Sequence, residues 1–307
     1  MKLLVVTQAV DVEDPVLGFF VRWIEEFAKH AENIEVICLR EGAHALPANV
    51  RAHSLGKSSF AKAQQGIGTR LRYVFRFLSL VWRLRRDYDA VFVHMNPEYI
   101  VLGGLFWRLL HKRIALWYTH KSVDLKLCVA ELLSNIIFTA SKESFRLKSR
   151  KVRVIGHGID TVFFTPDPSV ARGDWLLSVG RLMPSKRHDL AIRAAAGDGK
   201  ELRIVGDGPE WNHLEALTQE LGARVQFLGS LDQSKLRDEY RRAAFLIHTS
   251  ETGSLDKVVL EALACGLPVR TNDPALKALE SETFAYVRKY HSLGRLIPAM
   301  LQIFQMP

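Results

Sequence analysis

The chain has 307 residues, 48% of them hydrophobic, which is enough for two domains with a core each. Its three cysteines, Cys38, Cys128 and Cys265, are odd in number and widely spaced, which argues against a disulfide framework or a zinc cluster. The net charge of +9 is uneven: residues 1–156 carry 24 Lys and Arg against 14 Asp and Glu, and residues 157–307 carry 18 against 19. The first half therefore suits an anionic partner, either nucleic acid or acidic lipid.

From the first residue, the apolar run 2–6 passes straight into Thr7-Gln8, so no signal peptide is expected and a cytoplasmic location is. Arg, Glu or His interrupts the apolar runs well before 18 residues, so no membrane span is expected. Segments 2–7, 34–39, 51–55, 90–94, 114–118, 136–139 and 152–155 are rich in Val and Ile, with no alternating polar face. Such strands, separated by helical segments at 18–31 and 103–110, predict a parallel sheet covered on both sides. Residues 57–86 hold eight Lys and Arg, from Lys57 to Arg86, and no acid, interleaved with Leu71, Phe75, Phe77 and Trp82. A basic amphipathic helix of this kind either packs on the sheet with a solvated face or lies on an anionic bilayer.

Turn residues at 156–160 and 165–168 divide the chain, giving expected domains at 1–158 and 159–307. In the second, strands at 175–179, 202–205, 225–228 and 245–248 each run into a small or polar turn: Gly180-Arg181, Gly206-Asp207-Gly208, Gly229-Ser230 and Thr249-Ser250. Ligands of open α/β sheets bind beyond the carboxyl ends of the strands, so these turns share one edge of a crevice. The stretch 247–269 then reads as strand end, loop, helix and stop. Leu255, Val258, Val259, Ala262 and Leu263 share a helix face, with Ser254 as N-cap and Gly266 and Pro268 as the stop. A loop of small residues feeding a helix start aims unpaired N–H groups at one point, an anion site. Arg181 and Lys186, after the first strand of this series, suit a diphosphate: the guanidinium as a fork, the ammonium as a point charge.

The ordered set GRLMPSKRHDLAIRA, LRIVGDGPE, VQFLGSL and LEALACGLPV resembles the retaining glycosyltransferases of the GT-B fold, family 4. VIGHGIDTVFF resembles that family's domain-linking element, with His157 in place of the usual Asn, and the likeness runs from about residue 89 onward. The resemblance implies two Rossmann-like domains with parallel sheets facing a cleft, the acceptor on the first and a UDP- or GDP-linked sugar on the second. No separate cofactor or metal is implied. Arg181 and Lys186 would hold the diphosphate and neutralise the leaving group, and Glu261 would take the ribose hydroxyls. Gly180, Gly206 and Gly208 would let the donor approach the backbone. His120 matches a family histidine that reaches toward the donor sugar. His94 and Gly18, the remnant of a glycine-rich loop, are candidates on the acceptor side.

The sequence departs from the family at Gly253, where a carboxylate usually meets the donor sugar. Backbone N–H groups at Gly253 and Ser254 remain available in that reading, and Asp256 or Glu251 is the candidate replacement carboxylate. Lys257 and Glu261 stand four apart and could equally form a plain helix ion pair. Asp87-Tyr88-Asp89 resembles the metal-binding D-x-D of the other main transferase fold, but it precedes its strand and reads as a turn. The expected function is metal-independent, retaining transfer of a hexose to a lipid-linked or cell-envelope saccharide, at the inner face of the membrane. The alternative is an inactive nucleotide-sugar or membrane-associated binding module of the same fold. Specific nucleic-acid binding is not expected, since no recognition motif accompanies the basic half.

Overall fold

The computed structural model describes residues 1–57, 66–251, 253 and 255–305. The chain divides into two compact units, Met1–Gly156 together with the chain from Gly294 on, and His157–Leu293. The first contains β1 (Lys2–Val10), α1 (Phe19–Ala28), β2 (Asn33–Glu41), β3 (Val50–Ser54), α2 (Ile67–Arg83), β4 (Ala90–His94), α3 (Pro97–Leu109), β5 (Arg113–Trp117), α4 (Leu125–Leu133), β6 (Ile136–Thr139) and β7 (Val152–Val154). The second contains β8 (Leu176–Val179), α5 (His188–Asp198), β9 (Leu202–Val205), α6 (Trp211–Leu221), β10 (Val225–Gly229), α7 (Gln233–Arg242), β11 (Phe245–His248), α8 (Lys257–Ala264), β12 (Val269–Thr271) and α9 (Phe284–Tyr290). A last helix, α10 (Leu293–Gln305), falls with the first unit from Gly294 on.

Among the described residues the strands form a seven-stranded sheet, β3-β2-β1-β4-β5-β6-β7, and a five-stranded sheet, β10-β9-β8-β11-β12. Every pairing is parallel, as the uninterrupted apolar runs require. The strand order reverses direction between β1 and β4 in one unit and between β8 and β11 in the other. At such a switch point the connections leave on opposite faces and the loops part, opening a crevice beyond the strand ends.

Two helices differ from the sequence reading. The pair Gly103-Gly104 lies inside α3, not at its start, and Pro97 at the first turn begins it. The pair is there because a Cβ on Gly104 would stand 2.8 Å from the Leu133 side chain of α4, so small residues set the α3–α4 distance. Helix α8 begins with Asp256 as N-cap, two residues later than the expected Ser254. Ser254 lies outside the described residues, as does the 58–65 part of the basic segment.

Helix α2 is apolar on two sides. Phe77, Leu80 and Val81 are buried against the sheet, while Leu71, Phe75, Leu78 and Trp82 form an exposed stripe at i, i+4, i+7 and i+11. Trp82 meets Phe106 of α3 with ring centroids 5.5 Å apart, and the Arg85 guanidinium lies 4.3 Å over the indole. Exposed Leu102, Leu105 and Leu109 extend the patch along α3.

In the second unit Arg172 ties the layers together, donating to the carbonyls of Tyr240, Ala243 and Cys265 at 2.9 to 3.3 Å. These are the last carbonyls of α7 and α8, where a cation offsets the negative end of the helix dipole. Three imidazoles of this unit are bonded internally and shielded from water. His157 Nε2 donates to the Leu255 carbonyl, His188 Nδ1 meets Ser178 Oγ at 2.9 Å, and His291 Nε2 meets the Tyr286 hydroxyl at 3.4 Å. Burial pushes all three down to about 4. In the unfolded chain each titrates near 6.5, so below that value the unfolded state binds protons that the folded state refuses. Thermal stability should therefore be level above about pH 6.5 and fall from there toward pH 4, with each histidine contributing up to about 1.4 kcal/mol per pH unit. Calorimetry between pH 8 and 4 checks this; a midpoint that stays level through that window would refute it.

Candidate functional site

The turns that follow β8 and β9 are drawn together by their backbones. Leu182 N–H donates to the Asp207 carbonyl at 3.0 Å, and Glu210 N–H to the Leu182 carbonyl at 3.1 Å. Glycine makes this approach possible: a Cβ on Gly206 would lie 1.9 Å from the Gly180 carbonyl oxygen, and one on Gly208 2.3 Å from that of Leu182. Gly206 also adopts φ 143°, which side chains rarely take. Gly180, Gly206 and Gly208 thus stand together, as expected from their strand-end positions.

Beyond β8 the chain makes a 3-10 turn, Pro184–Lys186, and Arg187 follows in the left-handed conformation at φ 52° before α5. The loop after β11 holds this turn in place: Thr249 Oγ1 donates to the Lys186 carbonyl at 3.1 Å and Glu251 N–H to the Ser185 carbonyl at 3.2 Å. The Lys186 ammonium is consequently set between β8 and β11, at the switch point. Its Nζ lies 2.6 Å from Asp256 Oδ2 and 3.5 Å from Ser250 Oγ. The same Oδ2 lies 2.9 Å from His248 Nε2. Burial alone would raise the Asp256 carboxyl, but His248 and Lys186 more than offset it and hold the group well below the usual carboxylate range.

The two carboxylates left open by the sequence reading therefore differ. Asp256 is on Lys186, whereas Glu251 pairs with Arg187, whose guanidinium also grips Asp189 through two bonds of 3.0 and 3.1 Å. The Gly253 N–H, expected to face an anion, donates at 3.0 Å to Asp273 Oδ2. Glu261 is 2% exposed, with Oε1 2.9 Å from Lys257 Nζ and Oε2 accepting from the Tyr240 hydroxyl at 3.3 Å. The ion pair with Lys257 is thus present, but on a carboxylate facing the interior. Arg181 is exposed on the turn after β8.

Residues 168–280 match the family model of the glycosyl transferases group 1. The matched stretch lies within the second unit. The gpi3 subunit of phosphatidylinositol N-acetylglucosaminyltransferase of Schizosaccharomyces pombe is 36% identical over 132 residues, 40% of this chain and 29% of that protein. A D-inositol 3-phosphate glycosyltransferase of Acidothermus cellulolyticus is 35% identical over 144 residues, 39% of this chain and 32% of that protein. The match thus spans about a third of the length of these curated relatives. Two solved structures are similar over the whole chain. Alr3699/HepE of Anabaena in complex with UDP has a TM-score of 0.73 at 17% identity, covering 99% of each chain. Sucrose-phosphate synthase of Thermosynechococcus elongatus has 0.77 at 15%, covering 99% and 98%. The fold of the chain is GT-B.

In the N-terminal unit of this GT-B chain, His94 ends β4 at the other switch point. It is 1% exposed, stacked on Phe20 with centroids 3.9 Å apart, and its Nδ1 is 3.3 Å from Thr7 Oγ1. This is a packed position. Gly18 caps α1 and cannot carry a side chain, because a Cβ would stand 2.6 Å from the Asp14 carbonyl. His120 is exposed, its Nδ1 accepting from Ser122 N–H at 3.1 Å. Tyr88 of the D-x-D lookalike is buried, and Asp89 accepts from the Lys2 N–H, consistent with a turn. Among the described residues no group of three or more His, Cys, Asp and Glu is placed to hold a metal ion.

The second unit's polar network also contains His248, Thr271 and Asp273, none of them singled out from the sequence. His248 carried a signal all the same: it is the polar residue at the carboxyl end of an apolar strand. Gly206→Ala, which forces backbone against backbone, should lower stability by about 2–3 kcal/mol. Urea unfolding measures this, and a loss below about half a kcal/mol would contradict the close approach of the two turns.

Proposed function

We propose that this protein transfers a hexose, with retention and without a metal, from a UDP- or GDP-linked sugar to a lipid-linked or cell-envelope saccharide. The observation that carries the reading is Lys186 at the β8–β11 switch point, flanked by the Gly180 and Gly206–Gly208 turns in a group 1 glycosyl transferase domain. A diphosphate there meets one ammonium from Lys186, with Arg181 exposed on the same turn. Their charge stabilises the departing nucleotide electrostatically, without either side chain giving it a proton. The leaving phosphate then takes the proton of the acceptor hydroxyl as the new glycosidic bond forms on the same face, so the protein need not supply a general base. His120 is the proposed contact to the donor sugar and Glu261 to the ribose.

An observation also favours the second reading, a binding module without turnover. Lys186, the Gly253 N–H and Glu261 already have partners in Asp256, Asp273 and Lys257. Release of nucleoside diphosphate from a panel of nucleotide sugars, with membrane extract as acceptor, separates the two: binding without release selects the module. In the enzyme reading Lys186→Ala should reduce transfer by roughly 10²-fold. Undiminished turnover by a folded variant would exclude the assignment.

We further propose a cytoplasmic location, peripheral to the inner face of the membrane. No helix among the described residues is long and apolar enough to cross one. Support comes from the exposed stripe of α2, where Phe75 is 70% exposed and Trp82 57%, beside Arg72, Arg76 and Arg83. Apolar rings rimmed by arginine suit an interface of anionic headgroups. The name of the S. pombe relative, which specifies a phosphatidylinositol acceptor, is in keeping with a lipid substrate. Phe75→Ser with Trp82→Ser should weaken co-sedimentation with phosphatidylglycerol vesicles by at least about tenfold. Equal binding by the double variant would remove the membrane from the proposal.

A further inference from the structure

The N-cap aspartate of α8 does not cap its helix. Asp at this position ordinarily accepts a bond from the second or third backbone N–H of the helix. The Asp256 side chain makes no such bond. Its Oδ2 instead faces Lys186 Nζ at 2.6 Å and His248 Nε2 at 2.9 Å. The diversion needs a reason, and the imidazole supplies it.

His248 ends β11 and is 4% exposed. Its Nδ1 lies 3.1 Å from Thr271 Oγ1, at the end of the neighbouring strand β12. Thr271 Oγ1 already accepts from the Asp273 N–H at 3.1 Å, which leaves the hydroxyl proton free to point at Nδ1. With Nδ1 accepting, the neutral ring carries its proton on Nε2 and donates it to Asp256. Two donors thus converge on one carboxylate oxygen, one of them fixed in the sheet and the other the ammonium of Lys186.

From this geometry we infer that His248 is a positioning residue for diphosphate binding, acting through Asp256 to hold the Lys186 ammonium at the β8–β11 switch point. The inference rests on the reading that Lys186 contacts the diphosphate. A lysine side chain has several rotatable bonds, and fixing it in advance removes an entropic cost from ligand binding. Asp256 anchored from the sheet is a fixed point to which the ammonium returns. An unanchored carboxylate on a loop is free to swing back to its capping role.

Asn and Gln at position 248 separate this from a purely structural role, since both are polar and differ in reach. The Asn amide falls near the Nδ1 position and keeps Thr271, whereas the Gln amide reaches the Nε2 position and keeps Asp256. Calorimetric titration with UDP and with GDP is the readout, with thermal melts confirming that each variant is folded. His248→Asn should weaken binding about tenfold, the scale of one hydrogen bond to a charged group. His248→Gln should recover most of that loss. Lys186→Met should weaken binding at least as much as His248→Asn, and the double variant should be no weaker than Lys186→Met alone. Equal affinities for the Asn and Gln variants, or losses that multiply in the double variant, would overturn the role of His248 while leaving the diphosphate reading intact. A wild-type protein that binds neither nucleotide, or a Lys186→Met variant that binds as well as wild type, would overturn both.

Discussion

The reversal of strand order between β8 and β11 is the constraint on which the second unit depends. Parallel strands consume their backbone hydrogen bonds in the ladder, so polar groups become available only where strands end. At the reversal the loops diverge and leave a gap, and the turns that line it must come close without filling it. Gly206 and Gly208 meet that demand, because backbone carbonyls stand where a Cβ would have to go. The 3-10 turn that follows β8 then has one place to lie, pinned by Thr249 and Glu251 from the far side of the gap.

Most charges at this site are already paired. Lys186 faces Asp256, the Gly253 N–H faces Asp273, Arg187 is shared between Asp189 and Glu251, and Glu261 faces Lys257. A diphosphate bound there, as proposed, would compete with carboxylates for its contacts and gain from its greater charge. Such pairing keeps partly buried cations from standing alone, which is expensive in a poorly solvated site, and it fixes their direction.

The first unit carries its charge differently. Arg70, Arg72, Arg76 and Arg83 lie on α2 with its exposed apolar stripe, and α2 has to be apolar on a buried and an exposed side at once. Periodicity in the sequence detects the helix but cannot say which apolar side faces the sheet. The three-dimensional packing of Phe77, Leu80 and Val81 leaves Leu71, Phe75, Leu78 and Trp82 outside, and Trp82 against Phe106 joins the stripe to α3.

The strands, their parallel pairing and the strand-end turns were legible in the sequence because each depends on local composition: runs of Val and Ile, then glycine. The same local logic misplaced the start of α3 at Gly103, next to Gly104, which answers to Leu133 some thirty residues later. It also put the start of α8 at Ser254, whose capping preference is a local property, while Asp256 takes the N-cap position. Which carboxylate meets Lys186, and that His248 and Thr271 stand behind it, could not be read from the chain at all. Those partners are separated by up to seventy residues in sequence, and only the pairing of β8 with β11 and of β11 with β12 brings them within hydrogen-bond distance. Sequence determined the residue types at the strand ends; tertiary structure decided which of them touch, because the order of strands in a sheet is set by packing across the whole domain.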